Sequence, residues 1–154
     1  MTDAPQLDPG LGNVLFAVWL VSRAANATID ATIHESGLDA DEFAVYSVLA
    51  QGDGMTPTDL AHWMTAPTTT VSSYVKRFER RGHVERRQHP DDGRSYLIRL
   101  TAAGREAHRS AGARFLPLLD DVNRLLGPDV DDVRRHLAQL HAALSSGWIQ
   151  RSSW

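Results

Sequence analysis

The residues with the clearest chemistry lie in Thr68 to Gly82, TTTVSSYVKRFERRG. Three threonines and two serines precede Lys76, Arg77, Arg80 and Arg81. At about 100° per residue, Val71, Tyr74, Val75 and Phe78 share one helical face, suited to anchoring in a core. Thr69, Ser73, Lys76 and Arg80 fall opposite, flanked by Thr70, Ser72 and Arg77. Short hydroxyl side chains let a backbone come close to a surface. They donate or accept hydrogen bonds, and threonine adds a methyl that can meet a thymine methyl. Cations further along reach phosphates. Thr68, Thr69, Thr70, Ser72, Ser73, Lys76, Arg77 and Arg80 are therefore the expected contacts of a helix entering a nucleic-acid groove by its N-terminal end. The first six residues forgo about 3 kcal/mol of helix propensity. The competing explanation is that the hydroxyls only cap and solvate a helix start.

A second site lies in HPDDGRS, a turn between two strand-like runs, HVERRQ and RSYLIRL. Arg94 at such a tip is a planar cation for a narrow groove, where negative potential concentrates. Asp92, two residues earlier, is expected to hold the guanidinium in a bidentate pose. The plainer alternative is a surface ion pair worth about 0 to 1 kcal/mol.

Helices must position these two sites. A long proline-free run from Leu11 to about His34 carries few charges, and its apolar residues suggest burial on more than one side, hence a partner subunit. Gly37 suits its stop. Asp39 with Glu42 forms a capping box for a helix through Phe43, Tyr46 and Leu49. Thr56 and Pro57 open a short helix containing Leu60, Ala61 and Met64. Thr101 caps a helix after the hairpin, Gly127 marks a break, and Val133, Leu137, Leu140 and Leu144 line a last helix. The proline-containing residues 1–10 read as a loose tail. The order predicts a mainly α protein with a small β-hairpin: a helix-turn-helix followed by a wing.

Charge supports that division. The 154-residue chain carries −3 overall, but Thr56 to Thr101 holds eight Lys/Arg against five Asp/Glu, while the remainder has eight against fourteen. A basic middle between acidic ends points to a local polyanion contact. Hydrophobic residues at 42% and charged residues at 23% describe an ordinary globular domain. The chain has no cysteine, which excludes thiol chemistry and cysteine metal sites. With no evident signal peptide and no run approaching about 18 consecutive apolar residues, the cytoplasm is expected and a membrane is not. No phosphate loop, catalytic triad or paired carboxylates suggest an enzyme. No metal or other cofactor is expected: His136 and His141, five residues apart, fit poorly on one helix face as ligands.

The segment LAHWMTAPTTTVSSYVKRFERRGHVERR with HPDDGRSYLIRLTAAG resembles the MarR family of winged-helix transcriptional regulators. Asp92, Gly93 and Arg94 match the family's Asp-x-Arg wing tip, and Leu100 and Thr101 follow at the family's spacing. The resemblance is specific over about residues 45–104. It implies one domain over 1–154, with a winged helix-turn-helix core at 40–101 and helical dimerisation regions at 11–36 and 102–147. It implies a homodimer binding double-stranded DNA at a pseudo-palindromic operator, most often as a ligand-responsive repressor. The interface is expected at Val14, Leu15, Val18, Phe115, Leu118, Leu119, Val133, Leu137, Leu140 and Leu144. A small aromatic or phenolic effector is implied too, and Trp19, Arg23, His34, His62 and Trp63 are its expected pocket, with core tryptophans and surface histidines as the alternative. The chain departs from the family at Ser73, where many members carry a basic residue. The alternative function is a small-molecule-binding or protein-interaction module with little or no DNA binding.

Overall fold

A computed structural model describes residues 12–151. The expected N-terminal tail at 1–10 lies outside the described residues. The elements run α1 (Val14–Ile33), a 3-10 turn (His34–Ser36), α2 (Ala40–Leu49), α3 (Pro57–Met64), α4 (Thr68–Arg80), β1 (Val84–Gln88), β2 (Tyr96–Leu100), α5 (Ala102–Leu126), a second 3-10 turn (Gly127–Asp129) and α6 (Val130–Arg151). This is the predicted order.

Local signals set the boundaries. Asp39 accepts from the Glu42 N–H at 2.7 Å, and Glu42 accepts from the Asp39 N–H at 3.1 Å, closing the capping box. Thr56 caps α3 through the Asp59 N–H, with Pro57 in the first turn. Gly37 ends the first 3-10 turn at φ 78°, in the left-handed region that glycine tolerates. Thr101 has two roles. Its hydroxyl donates to the Gly82 carbonyl at 2.6 Å and accepts from the Gly104 N–H at 3.1 Å. It thus starts α5 and ties that start to the end of α4.

The core sits under the helix-turn-helix. Val71, Val75 and Phe78 of α4 meet Val45, Tyr46 and Leu49 of α2, Leu60 of α3, and Ile98 and Leu100 of β2. The Tyr46 and Phe78 rings pack edge to face at 4.8 Å. Strand β2 is held on two sides. It pairs antiparallel with β1, Val84 opposite Leu100 and Gln88 opposite Tyr96, and Ile98 exchanges two backbone hydrogen bonds with Met55. The wing root is therefore joined to the chain that enters α3.

The long helices present a different surface. Helix α1 packs on α5 and α2, yet most of its residues are exposed. Within Val14–Ser36 an 18-residue window has a mean hydropathy of 1.3, long and apolar enough to cross a membrane by length and composition alone. Polar residues still interrupt every apolar run, as the sequence showed, and alanines between the larger side chains raise the average. Burial of α1 on more than one side is not found within the single chain.

Candidate nucleic-acid interface

Helix α4 begins without a side-chain cap. Pro67 occupies the N-cap position, and its carbonyl accepts from the N–H groups of Thr70 and Val71. Thr68, Thr69 and Thr70 stand inside the first turn rather than before it. Ser73 donates back to the Thr69 carbonyl at 3.0 Å. The hydroxyl run therefore does not cap the helix. Thr65, just upstream, takes φ 50° and ψ 44°. A β-branched residue rarely adopts this left-handed conformation, and it makes the sharp turn that swings α4 away from α3.

Thr68, Thr69, Ser72, Ser73, Lys76 and Arg80 are exposed and Thr70 is half-buried, while Val71, Val75 and Phe78 are fully buried. The periodicity placed these faces correctly. Tyr74 is half-buried, its ring 5.6 Å from Phe78.

The eight cations of the basic segment divide into two groups. Arg77 and Arg81 pair with Glu42, Arg86 with Glu79, Arg87 with Glu85 and Arg99 with Asp53. Among the described residues, Lys76, Arg80 and Arg94 have no carboxylate partner within 4.0 Å. Arg77 thus differs from its expected placement. Its guanidinium lies 3.1 Å from the Glu42 carboxylate and 4.8 Å from the Tyr74 ring centroid. It sits at the edge of the buried face, where an acid on α2 is nearer than solvent.

The wing tip also departs from expectation in one respect. Asp92 does not grip the Arg94 guanidinium. Its carboxylate accepts from the Arg94 backbone N–H at 3.0 Å, and its carbonyl accepts from the Ser95 N–H at 3.1 Å. A backbone donor two residues away lies within easy reach of an aspartate in a turn, so Asp92 shapes the tip and leaves the arginine side chain exposed. Arg86 buttresses the wing instead. It makes two bonds to Glu79, at 2.6 and 3.0 Å, and lies 4.7 Å from the Tyr96 ring centroid.

The five residues expected to form an effector pocket do not come together within one chain. Trp19 stacks on Phe16 and is exposed, and Trp63 is exposed on α3. Trp19 and His34 are fifteen residues apart along helical chain, roughly 22 Å. The cleft beside His34 is lined by Asp30, Gly37, Leu38, Asp39, Glu42 and Arg81, without the other four. Helical spacing put Trp19, Arg23 and His34 along one side of α1, but not at one point.

Two histidines missed by sequence reasoning join elements behind the interface. Burial pushes the Tyr46 phenol up to about 12, and its hydroxyl shares a hydrogen bond with His83 Nδ1 at 3.0 Å. His108 on α5 packs on Phe43, and its Nε2 lies 3.0 Å from the Ser47 hydroxyl, whose proton goes to the Phe43 carbonyl. Nε2 therefore donates, and burial lowers the His108 pKa. Both histidines find partners on α2, far away in sequence.

A helix-turn-helix with an exposed hydroxyl and cation face, followed by a two-stranded wing with an unpaired arginine at its tip, defines a winged-helix protein. A MarR family model matches residues 38–96. A helix-turn-helix-type transcriptional repressor of Mycobacterium tuberculosis is 29% identical over 140 residues, covering 86% of this chain and 94% of the relative. An uncharacterized helix-turn-helix-type regulator of Bacillus subtilis, YdgJ, is 30% identical over 98 residues, and the match spans 64% of this chain and 58% of that protein. The M. tuberculosis transcriptional regulator MosR, solved in complex with DNA, superposes with a TM-score of 0.76 at 25% identity, covering 87% of this chain and 97% of its own. The PcaV regulator of Streptomyces coelicolor, solved with its natural ligand, shares the fold at a TM-score of 0.74 and 22% identity, over 91% and 98% of the two chains. The chain thus resembles the MarR family of winged-helix transcriptional regulators, through the family match over the helix-turn-helix and wing and through a fold likeness over most of its length.

Proposed function

We propose that this regulator binds operator DNA as a homodimer and represses transcription from it in the cytoplasm. The observation that carries the reading is the division of the basic segment. Five of its eight cations are paired to carboxylates, and the three left unpaired, Lys76, Arg80 and Arg94, lie on the outer face of α4 and at the wing tip. Each helix α4 enters a major groove by its uncapped end, where unpaired backbone N–H groups favour an anion. Thr68, Thr69, Thr70, Ser72 and Ser73 approach base edges, Lys76 and Arg80 meet phosphates, and Arg94 enters the neighbouring minor groove. Asp92 fixes the turn that presents Arg94. The DNA complex of MosR supports this docking.

The dimer reading rests on exposed apolar surface. Among the described residues, eleven of the twelve large exposed hydrophobics lie on α1, α5 and α6, including Val14, Leu15, Leu119, Leu137 and Leu144. A soluble monomer rarely concentrates so much exposed apolar side chain on its long helices, and a second copy would cover it. Between α1 and α6, Val14, Val18, Val21, Leu137 and Leu140 line an apolar groove of about 480 Å³. A ligand response belongs to the same reading. Its site moves from the five dispersed residues to the groove between α1 and α5, about 390 Å³, lined by Ala25, Ile29, Phe115 and Leu118. Its size and apolar walls suit a small aromatic molecule.

DNase protection of the DNA upstream of its own coding region tests the DNA reading. The expected result is protection of two related half-sites about one helical turn apart. Absence of protection by a purified dimer would instead favour a ligand-binding or protein-interaction module.

A further inference from the structure

Helix α4 carries four cations in its last six positions and C-cap, yet only two of them face outward. Arg77 and Arg81 are four residues apart and share a face, and both turn toward α2. There they meet Glu42, the only buried charged residue among those described, at 2% exposure. Its Oε1 lies 3.1 Å from Arg77 Nη2, and its Oε2 lies 2.9 Å from Arg81 Nη1. Oε2 also accepts from the Asp39 N–H at 3.1 Å.

A buried carboxylate is costly unless hydrogen-bonded and paired, and here two guanidinium groups and a backbone amide satisfy it. The capping box alone does not need two arginines. The Asp39–Glu42 box would close on an exposed surface equally well. The second observation is at Arg77, where Nε is buried with no hydrogen-bond partner. An arginine that leaves a donor unsatisfied is held by something else, and the Tyr74 and Phe78 rings, 4.8 and 5.7 Å from its guanidinium carbon, flank it.

We propose that Glu42 is a positioning residue that withholds Arg77 and Arg81 from DNA phosphates and so limits sequence-independent binding by α4. The inference rests on the DNA-binding reading above. Each phosphate neutralised by a cation adds about 0.9 to the slope of log affinity against log salt. That attraction is the same for every sequence, so two further free arginines per recognition helix would strengthen binding to random DNA more than discrimination. With Glu42 in place the helix offers DNA two cations, Lys76 and Arg80, together with the hydroxyls that read bases.

The test measures salt-dependent binding to a random-sequence duplex by anisotropy, with thermal melting to confirm folding. Glu42→Gln keeps the size and the capping hydrogen bond but removes the charge. The expected result is tighter binding with a slope steeper by about 1 to 2 per protomer. An unchanged or flatter slope in a folded Glu42→Gln protein overturns the proposal. Arg77→Gln and Arg81→Gln, each leaving Glu42 one arginine, provide the independent arm. Wild-type slopes in both support the proposal, and they decide the matter alone where Glu42→Gln does not fold. A flattened slope in either variant shows a guanidinium already on phosphate and overturns this inference while leaving DNA binding intact. A wild-type dimer that binds no duplex overturns both readings.

Discussion

Ser73 and Arg94 mark the two chemistries of the interface at the residue scale. Ser73 is exposed, and its hydroxyl bonds to the Thr69 carbonyl one turn back. It offers no charge to that face. On the groove-facing reading, Ser73→Arg puts a third free cation beside Lys76 and Arg80. Affinity for random-sequence duplex should rise, with a salt slope steeper by about 0.9 per protomer. Anisotropy titrations at several salt concentrations measure it, and an unchanged slope would mean that position 73 faces away from DNA. The faces of α4 were legible in the sequence because a helical period depends only on spacing. The orientation of Asp92 was not: its carboxylate had two possible donors, and the nearby backbone N–H of Arg94 was favoured over the mobile guanidinium.

Between elements, the short-range signals were legible and the long-range ones were not. Asp39, Thr56 and Thr101 cap helices through groups three residues away, so the sequence displays both partners together. Glu42 showed only its local role, because Arg77 and Arg81 lie 35 and 39 residues further along and only the fold brings them near. Hydroxyl-rich α4 starts weakly as a helix, and burial of Val71, Val75 and Phe78 offsets that weakness. The junction of α4, wing and α5 is set by Gly104. A Cβ there would stand 2.1 Å from the His83 carbonyl oxygen and 2.9 Å from its carbon. Backbone atoms cannot rotate aside as a side chain could. Gly104→Ala would gain up to about 1 kcal/mol in helix propensity but lose more to overpacking, so a net loss of about 2 kcal/mol is expected. Thermal unfolding should show Tm lower by roughly 4 to 8 °C; an equal or higher Tm would show that α5 does not dock as described.

For the whole molecule, the division of surfaces matters most. The winged-helix head buries most of its large apolar residues, whereas α1, α5 and α6 leave many of theirs exposed. The sequence indicated a partner for α1 through its scarcity of charge, but not which faces remain open after α1 packs on α5. The five residues expected at an effector pocket are dispersed within one chain, since residues gathered by type from two helices are brought together only by the fold. If a second copy covers the exposed face, Leu137→Glu should shift the protein from dimer to monomer in sedimentation velocity at concentrations where the wild type is dimeric. A wild type that sediments as a monomer throughout would contradict the dimer. Loss of the dimer should also weaken operator binding, because two linked heads bind far more tightly than one.

The most direct test of the central claim, that α4 and the wing together hold DNA, is a salt titration of binding to its own upstream DNA by wild type and Arg94→Ala. Arg94 is exposed and without a carboxylate partner, so its loss leaves no buried charge behind. The predicted result is affinity lower by roughly tenfold or more, with a salt slope flatter by about 0.9 per protomer and an unchanged melting temperature. Equal affinity with an equal slope would contradict the account.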